Sequence, residues 1–297
     1  MQKGGYPLWN DIQKDIWKRD KKKHMENVSA AANIPILTAK TEHCTMQYFR
    51  FGTGKKTMVI LPGLAIQSVM GSAQAVAEAY KDFAADYTVY LFDRRMDLPE
   101  DYPVREMAKD TAEVMKSLGL HDCCIFGASQ GGMIALAIGI DYPELAAKIA
   151  LGSTSAHLKE AQYEMLEEWI RLAEEKDAVG LYLKFGEDIY PPAVFEQYRD
   201  VLAAAGETVT DEDLRRFIIL ARGMKGFDLT AELQKITCPV LAIGVFEDAV
   251  LDSDATMEIA EKLDVRSDFR LFMYIGYGHA AFDTAPDYRK RLKNFFE

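Results

Sequence analysis

Asp122-Cys-Cys-Ile-Phe-Gly127-Ala-Ser129-Gln-Gly131-Gly132-Met-Ile-Ala-Leu-Ala-Ile-Gly-Ile140 is the stretch on which the reading of this chain turns. Cys123 to Phe126 is a short apolar run of the kind a buried strand requires, and Met133 to Ile140 is an alanine-rich apolar run suited to a helix. Between them lies Gly-x-Ser-x-Gly, the sequence form of a sharp strand-to-helix turn that carries a serine at its tip. The backbone of such a turn is crowded by the flanking strand and helix, so Gly127 and Gly131 keep side chains out of the way. The hydroxyl is then held in the open at a helix N-terminus. The partial positive charge there, about half a unit, favours developing negative charge.

The chain has 297 residues, enough for one large α/β domain with an insertion. Its apolar share of 49% and charged share of 27% suit a globular protein. With 35 basic and 46 acidic residues the net charge is −11, which argues against nucleic acid or an anionic membrane as partner. No run reaches the roughly 18 apolar residues of a membrane span, and Met1 to Asp20 has no apolar core of a secretory signal. Cys123 and Cys124 are neighbours in one strand and point to opposite faces, while Cys44 and Cys238 lack metal-type spacing. All four cysteines are expected to be reduced, mostly buried thiols, and the protein cytoplasmic.

Outward from the elbow, strands and helices alternate. Residues 1–34 are a charged extension containing Lys18-Arg-Asp-Lys-Lys-Lys23, with a helix expected over Trp9–Lys22. Strands are expected at Ile36–Thr41, Met46–Phe51, Thr57–Leu61, Thr88–Phe92 and Lys148–Leu151, with helices at Ser72–Ala84 and Val104–Leu118. From about Leu158 to Arg222 no strand is evident. Amphipathic stretches there carry Tyr163, Trp169, Tyr182, Phe185, Phe195, Tyr198 and Phe217. The β-α rhythm resumes with Val240–Val245, a helix near Ala255–Leu263, Phe269–Ile275 and a closing helix Pro286–Phe296.

An elbow serine needs a base, and the base needs an orienting acid. There are five histidines: His24 lies in the extension, His43 at an early turn and His121 before the elbow strand. Sites on parallel sheets gather at the carboxyl ends of strands, which leaves His279 and His157. His279, flanked by Gly278 after the last strand, fits the chain order serine, acid, histidine and is preferred. The acid should follow Val240–Val245, in Phe246-Glu247-Asp248-Ala-Val-Leu-Asp252-Ser-Asp254. Asp248 is the first choice and Glu247 the second; Asp252 and Asp254 look like caps of the next helix. An oxyanion needs donors, expected to be the backbone N–H of Gln130, after the serine, and of Leu64 in Pro62-Gly63-Leu64.

Elbow, Pro-Gly turn, late aspartate and late histidine, with helices inserted after the sixth strand, resemble the capped branch of the α/β-hydrolase superfamily over residues 36–297. Asp93-Arg-Arg-Met-Asp-Leu-Pro-Glu departs from the glycine-containing loop of many relatives, and Pro62-Gly63 from their His-Gly. The resemblance implies a mostly parallel eight-stranded sheet flanked by helices, with a core of 35–154 and 231–297 and an all-helical cap of 155–230. It also implies a serine hydrolase acting on an ester, thioester or similar acyl bond of a small apolar substrate, through Ser129, Asp248 and His279. The helical insertion would act as a lid, its aromatics lining an apolar pocket. No cofactor or metal is implied, and a homodimer is left open. A C–C bond hydrolase or lyase with the same triad, and a non-catalytic ligand-binding relative, are the alternatives.

Overall fold

A computed structural model describes residues 34–297. The helix expected over Trp9–Lys22 lies outside the described residues.

Eight strands form one sheet: β1 (Leu37–Lys40), β2 (Thr45–Phe51), β3 (Lys56–Leu61), β4 (Tyr87–Arg95), β5 (Cys123–Ala128), β6 (Ala146–Gly152), β7 (Val240–Val245) and β8 (Phe269–Tyr274). Their order is β1-β2-β4-β3-β5-β6-β7-β8. β2 pairs antiparallel with β1 and β4, and every other pairing is parallel. The continuous apolar runs have the physical meaning expected of them: β5 and β7 are buried at every position, covered by helices on both faces. Leu61 is in register with Gly127, Ala128 with Gly152, and Gly152 with Ile243. The residues that follow β3, β5, β6 and β7 therefore emerge along one edge, where the chain changes direction.

The helices are α1 (Ala73–Ala79), α2 (Val104–Ser117), α3 (Gln130–Asp141), α4 (Glu160–Glu174), α5 (Ala178–Ile189), α6 (Pro192–Gly206), α7 (Asp211–Arg222), α8 (Asp252–Leu263), α9 (Ala281–Thr284) and α10 (Tyr288–Phe296). The α2 face turns Met107, Thr111, Val114 and Met115 into the core, as the spacing predicts, and leaves Leu118 half-buried beyond the helix end. α3 is buried from Gln130 to Ile140. Its small residues let it lie close to the sheet: a Cβ on Gly139 would come within 2.6 Å of Ile149 Cδ1. Between β6 and β7 the described chain is helical, α4 to α7, with no strand in the sheet.

Two elements differ from expectation. The helix expected over Ser72–Ala84 is broken into a 3₁₀ turn (Val69–Ser72), α1 and a second 3₁₀ turn (Lys81–Phe83). The carbonyls of Ala84 and Asp86 accept from Thr53 and Lys56 N–H at 2.9 and 3.2 Å, so the early β2–β3 turn competes for the chain just past the helix. β4 runs on to Arg95 instead of stopping at Phe92, because Met46 of β2 still pairs with Arg95 and the charges of Asp93 and Arg94 find partners inside.

All four cysteines are buried and unpaired. No helix among the described residues is long and apolar enough to cross a membrane.

Candidate active site

Ser129 stands between β5 and α3 with φ 51° and ψ −123°, a conformation that L-residues other than glycine rarely adopt. Such strain persists only where the surroundings over-determine it. Ser129 N–H donates to Gly152 O at 2.8 Å, and Ser129 O accepts from Gly132 N–H at 2.8 Å and Thr154 Oγ1 at 2.7 Å. A Cβ on Gly127 would lie 2.3 Å from Gly131 O, and one on Gly131 2.0 Å from Leu61 O. Neither position has room for a side chain, which is the physical content of the Gly-x-Ser-x-Gly pattern.

Asp248 and His279 follow β7 and β8 respectively, and both are almost wholly buried. His279 Nδ1 lies 2.9 Å from each oxygen of Asp248. Asp248 Oδ1 also accepts from the N–H groups of Val250 and Leu251, at 2.9 and 3.0 Å. Burial alone would raise the Asp248 carboxyl, but the His279 charge and hydrogen bond and these two N–H groups outweigh it and hold the pKa below the usual value. A carboxylate there takes the Nδ1 proton as partner and leaves Nε2 as the free nitrogen. The loop that aims the ring turns through Gly276 and Gly278, at φ 81° and 64°, and is tied to the insertion by Ala280 N–H donating to Ile189 O at 3.0 Å.

Ser129 and His279 line one mostly apolar cavity of about 620 Å³ between the sheet edge and α4 to α6. No hydrogen bond joins Ser129 Oγ to His279 among the described residues, though both line this cavity. The turn after β3 reaches the same place, since a Cβ on Gly63 would be 3.2 Å from Ser129 Cβ. Leu64 lines the cavity, and its N–H is paired with no carbonyl; Gln130, first residue of α3, has no intrahelical acceptor for its N–H.

The runners-up are occupied elsewhere. Glu247 accepts from Gly276 N–H at 2.7 Å and so braces the His279 loop. His157 faces Glu258 at 3.2 Å, and its backbone bridges to Asp228. Asp252 Oδ1 accepts from Ala255 N–H at 3.2 Å in the first turn of α8, and Asp254 faces Lys159. Of the insertion's aromatics, Trp169, Tyr182 and Phe185 line the cavity, while Phe195 and Phe217 are packed as core. Tyr163 packs partly buried against the core and Tyr198 is exposed; neither lines the cavity.

Two features escaped sequence reasoning. Buried Arg94 donates from Nη2 to Pro62 O at 2.7 Å and to Gln130 Oε1 at 3.1 Å. It thereby links the turn after β3 to the first residue of α3. Gln130 Nε2 continues the network to Leu220 O on α7 at 2.8 Å, and Asp93 accepts from Ser68 Oγ at 2.6 Å and from Arg216. Burial lowers the Arg94 pKa to about 10, partly offset by Asp93, so it stays charged at neutral pH. The signal was two charges directly after an apolar strand. The second feature is Asp283, which lines the cavity one helical turn beyond His279. No group of three or more metal-ligating side chains occurs among the described residues.

Residues 58–288 match the alpha/beta hydrolase family, and the chain belongs to it. A Pseudomonas savastanoi pv. phaseolicola (strain 1448A / Race 6) protein named "Putative carbamate hydrolase RutD" is 26% identical over 253 residues, covering 79% of this chain and 93% of its own length. An alpha/beta hydrolase, MGS-M2, from a Medee basin deep-sea metagenome superposes with a TM-score of 0.78 at 20% identity, over 88% of this chain and 97% of its own. The enol-lactonase of Burkholderia xenovorans LB400 gives 0.75 at 17% identity, over 88% and 99%.

Proposed function

We propose that this hydrolase cleaves an ester, thioester or related acyl bond of a small, largely apolar substrate by nucleophilic catalysis from Ser129. One observation carries the reading. A serine in strained backbone opens into the same cavity as a histidine whose other nitrogen is clamped by a buried carboxylate.

Ser129 Oγ attacks the carbonyl carbon as His279 Nε2 takes its proton; Asp248 keeps the ring in the tautomer that leaves Nε2 basic and stabilises the imidazolium. The hydrogen bond between hydroxyl and ring forms as the site tightens around its substrate, as often happens in unliganded sites. The tetrahedral oxyanion is received by the N–H groups of Leu64 and Gln130, at the positive end of α3. The intermediate collapses as His279 protonates the leaving group, and water activated by the same imidazole releases the acyl group. The insertion, residues 155–230, acts as a lid, with Trp169, Tyr182 and Phe185 excluding water from the acyl-enzyme. A carbamate carbonyl fits this chemistry as well as an ester does, in keeping with the RutD likeness. Four unpaired thiols support a cytoplasmic location.

A fluorophosphonate probe and p-nitrophenyl acetate and butyrate test the reading. Labelling of Ser129 and turnover of the esters, both lost in Ser129→Ala, are expected. Absence of labelling would sink the proposal, and labelling without turnover of any ester would favour C–C bond cleavage.

A further inference from the structure

Several polar groups on the cavity wall have partners: Gln67 with Tyr182, Ser68 with Asp93, His279 with Asp248. Asp283 does not. It stands on a mostly apolar wall with its side chain accessible within the cavity it lines, and its carboxylate makes no hydrogen bond or ion pair among the described residues. An isolated carboxylate in such surroundings is unfavourable and attracts a counter-charge. Its electrostatic neighbours are the phenol groups of Tyr80 after α1, Tyr190 after α5 and Tyr288 on α10, with the Arg289 guanidinium on α10. Arg289 makes no ion pair with it; the guanidinium lies over the Tyr80 ring at 5.9 Å, donates from Nη1 to Phe282 O at 3.3 Å, and acts on Asp283 only through its charge. Tyr80, Tyr190 and Phe282 line the cavity beside the carboxylate, and aromatic walls with one acid are the chemistry that recognises an organic cation.

We infer that the unpaired carboxylate of Asp283, set among aromatic rings in the cavity that Ser129 opens into, selects substrates carrying an ammonium-type cation on one side of the scissile bond. This rests on the acyl-hydrolase reading above and names the substrate class of that site. The cation enters the His279 end of the cavity, because Phe282 packs edge-on against the His279 ring at 6.4 Å and Asp283 is the next residue. Burial raises the Asp283 pKa to about 6, against the pull of Arg289, so the carboxylate is ionised at pH 8 and largely neutral at pH 5.

Two isosteric ester pairs test the inference. One places the charge on the acyl side, p-nitrophenyl 4-(trimethylammonio)butyrate against p-nitrophenyl 5,5-dimethylhexanoate. The other places it on the alcohol side, butyrylcholine against 3,3-dimethylbutyl butyrate. At pH 8 one cationic member should have kcat/KM at least about tenfold above its neutral isostere. The ratio should fall towards one as pH drops through 6 and in Asp283→Asn, and return in Asp283→Glu. Equal rates within both pairs, or a preference that survives Asp283→Asn, would overturn it. Binding of hexyltrimethylammonium against heptanol to the Ser129→Ala protein reads the carboxylate without turnover, and the same preference and the same loss are expected there. If no ester turns over and Ser129 is not labelled, the hydrolase reading fails, while this binding arm still decides for or against Asp283.

Discussion

The loop after β7 sets Asp248 against the His279 imidazole, the short helix α9 sets Asp283 on the wall of the cavity that this imidazole lines, and the two carboxylates are treated in opposite ways. Asp248 receives His279 Nδ1 and two backbone N–H groups, which hold its pKa down despite burial. Asp283 receives nothing among the described residues, and burial pushes its pKa up to about 6. The difference lies in the backbone around them. The chain after Asp248 curls so that the N–H groups of Val250 and Leu251 point at its own side chain, whereas the N–H groups of α9 point along the helix, with Asp283 N–H donating to Ala280 O. A carboxylate satisfied by its own fold can orient a neighbour. One left unsatisfied is poised for something that arrives from outside.

The sharpest way to break the comparison is to neutralise the satisfied member. Asp248→Asn should lower kcat by about 10⁴-fold, near 5.5 kcal/mol of barrier, with the neutral amide favouring the wrong tautomer of His279. Steady-state kinetics on a p-nitrophenyl ester measures this, and a loss under tenfold would remove Asp248 from the mechanism. Arg94 is, like Asp248, a buried and satisfied charge, here held by the two segments that carry the proposed oxyanion donors. Arg94→Met should reduce kcat by about 10- to 100-fold with little change in KM, because displaced donors weaken transition-state binding alone. A rise in KM at constant kcat would assign Arg94 to substrate binding instead.

The smallest effect sharpens the contrast through stability. Asp248 has a depressed folded pKa, so its contribution is present above the unfolded carboxyl value of about 3.9 and is lost as pH falls through the folded value. Asp283 has the opposite sign. Below about pH 4 both its states are protonated and it costs nothing, and the cost grows as pH rises towards 6 and is complete above it. Asp283→Asn should therefore stabilise the protein at pH 8 by on the order of 1 kcal/mol, a figure discounted for solvent inside the cavity, and by nothing at pH 4. Thermal melts at the two pH values check it. Equal shifts at both would mean that the charge is not the cause.

Much of this was legible in the chain, and particular residues show why. Gly127 and Gly131 announce a backbone crossing, because steric exclusion of a Cβ leaves only glycine. His279 was separable from His157 by its place after the last strand, because the chain order serine, acid, histidine requires the base to follow the acid. The choice between Asp248 and Glu247 was less secure, being one residue in a loop, and the structure turns Asp248 inward and spends Glu247 on Gly276. The end of α1 was misjudged because its competitor, the turn at Thr53, lies some thirty residues away in the chain.

By itself the amino-acid sequence determined the strand-helix alternation, the elbow and the order of serine, acid and histidine, because these follow from local periodicity and from residues that fit only one backbone conformation. Tertiary structure alone decided that Arg94 would tie the turn after β3 to α3 and that Asp283 would be left without a partner. A side chain's neighbours depend on which distant segments pack around it, and charge satisfaction is a property of that assembled environment rather than of any stretch of chain.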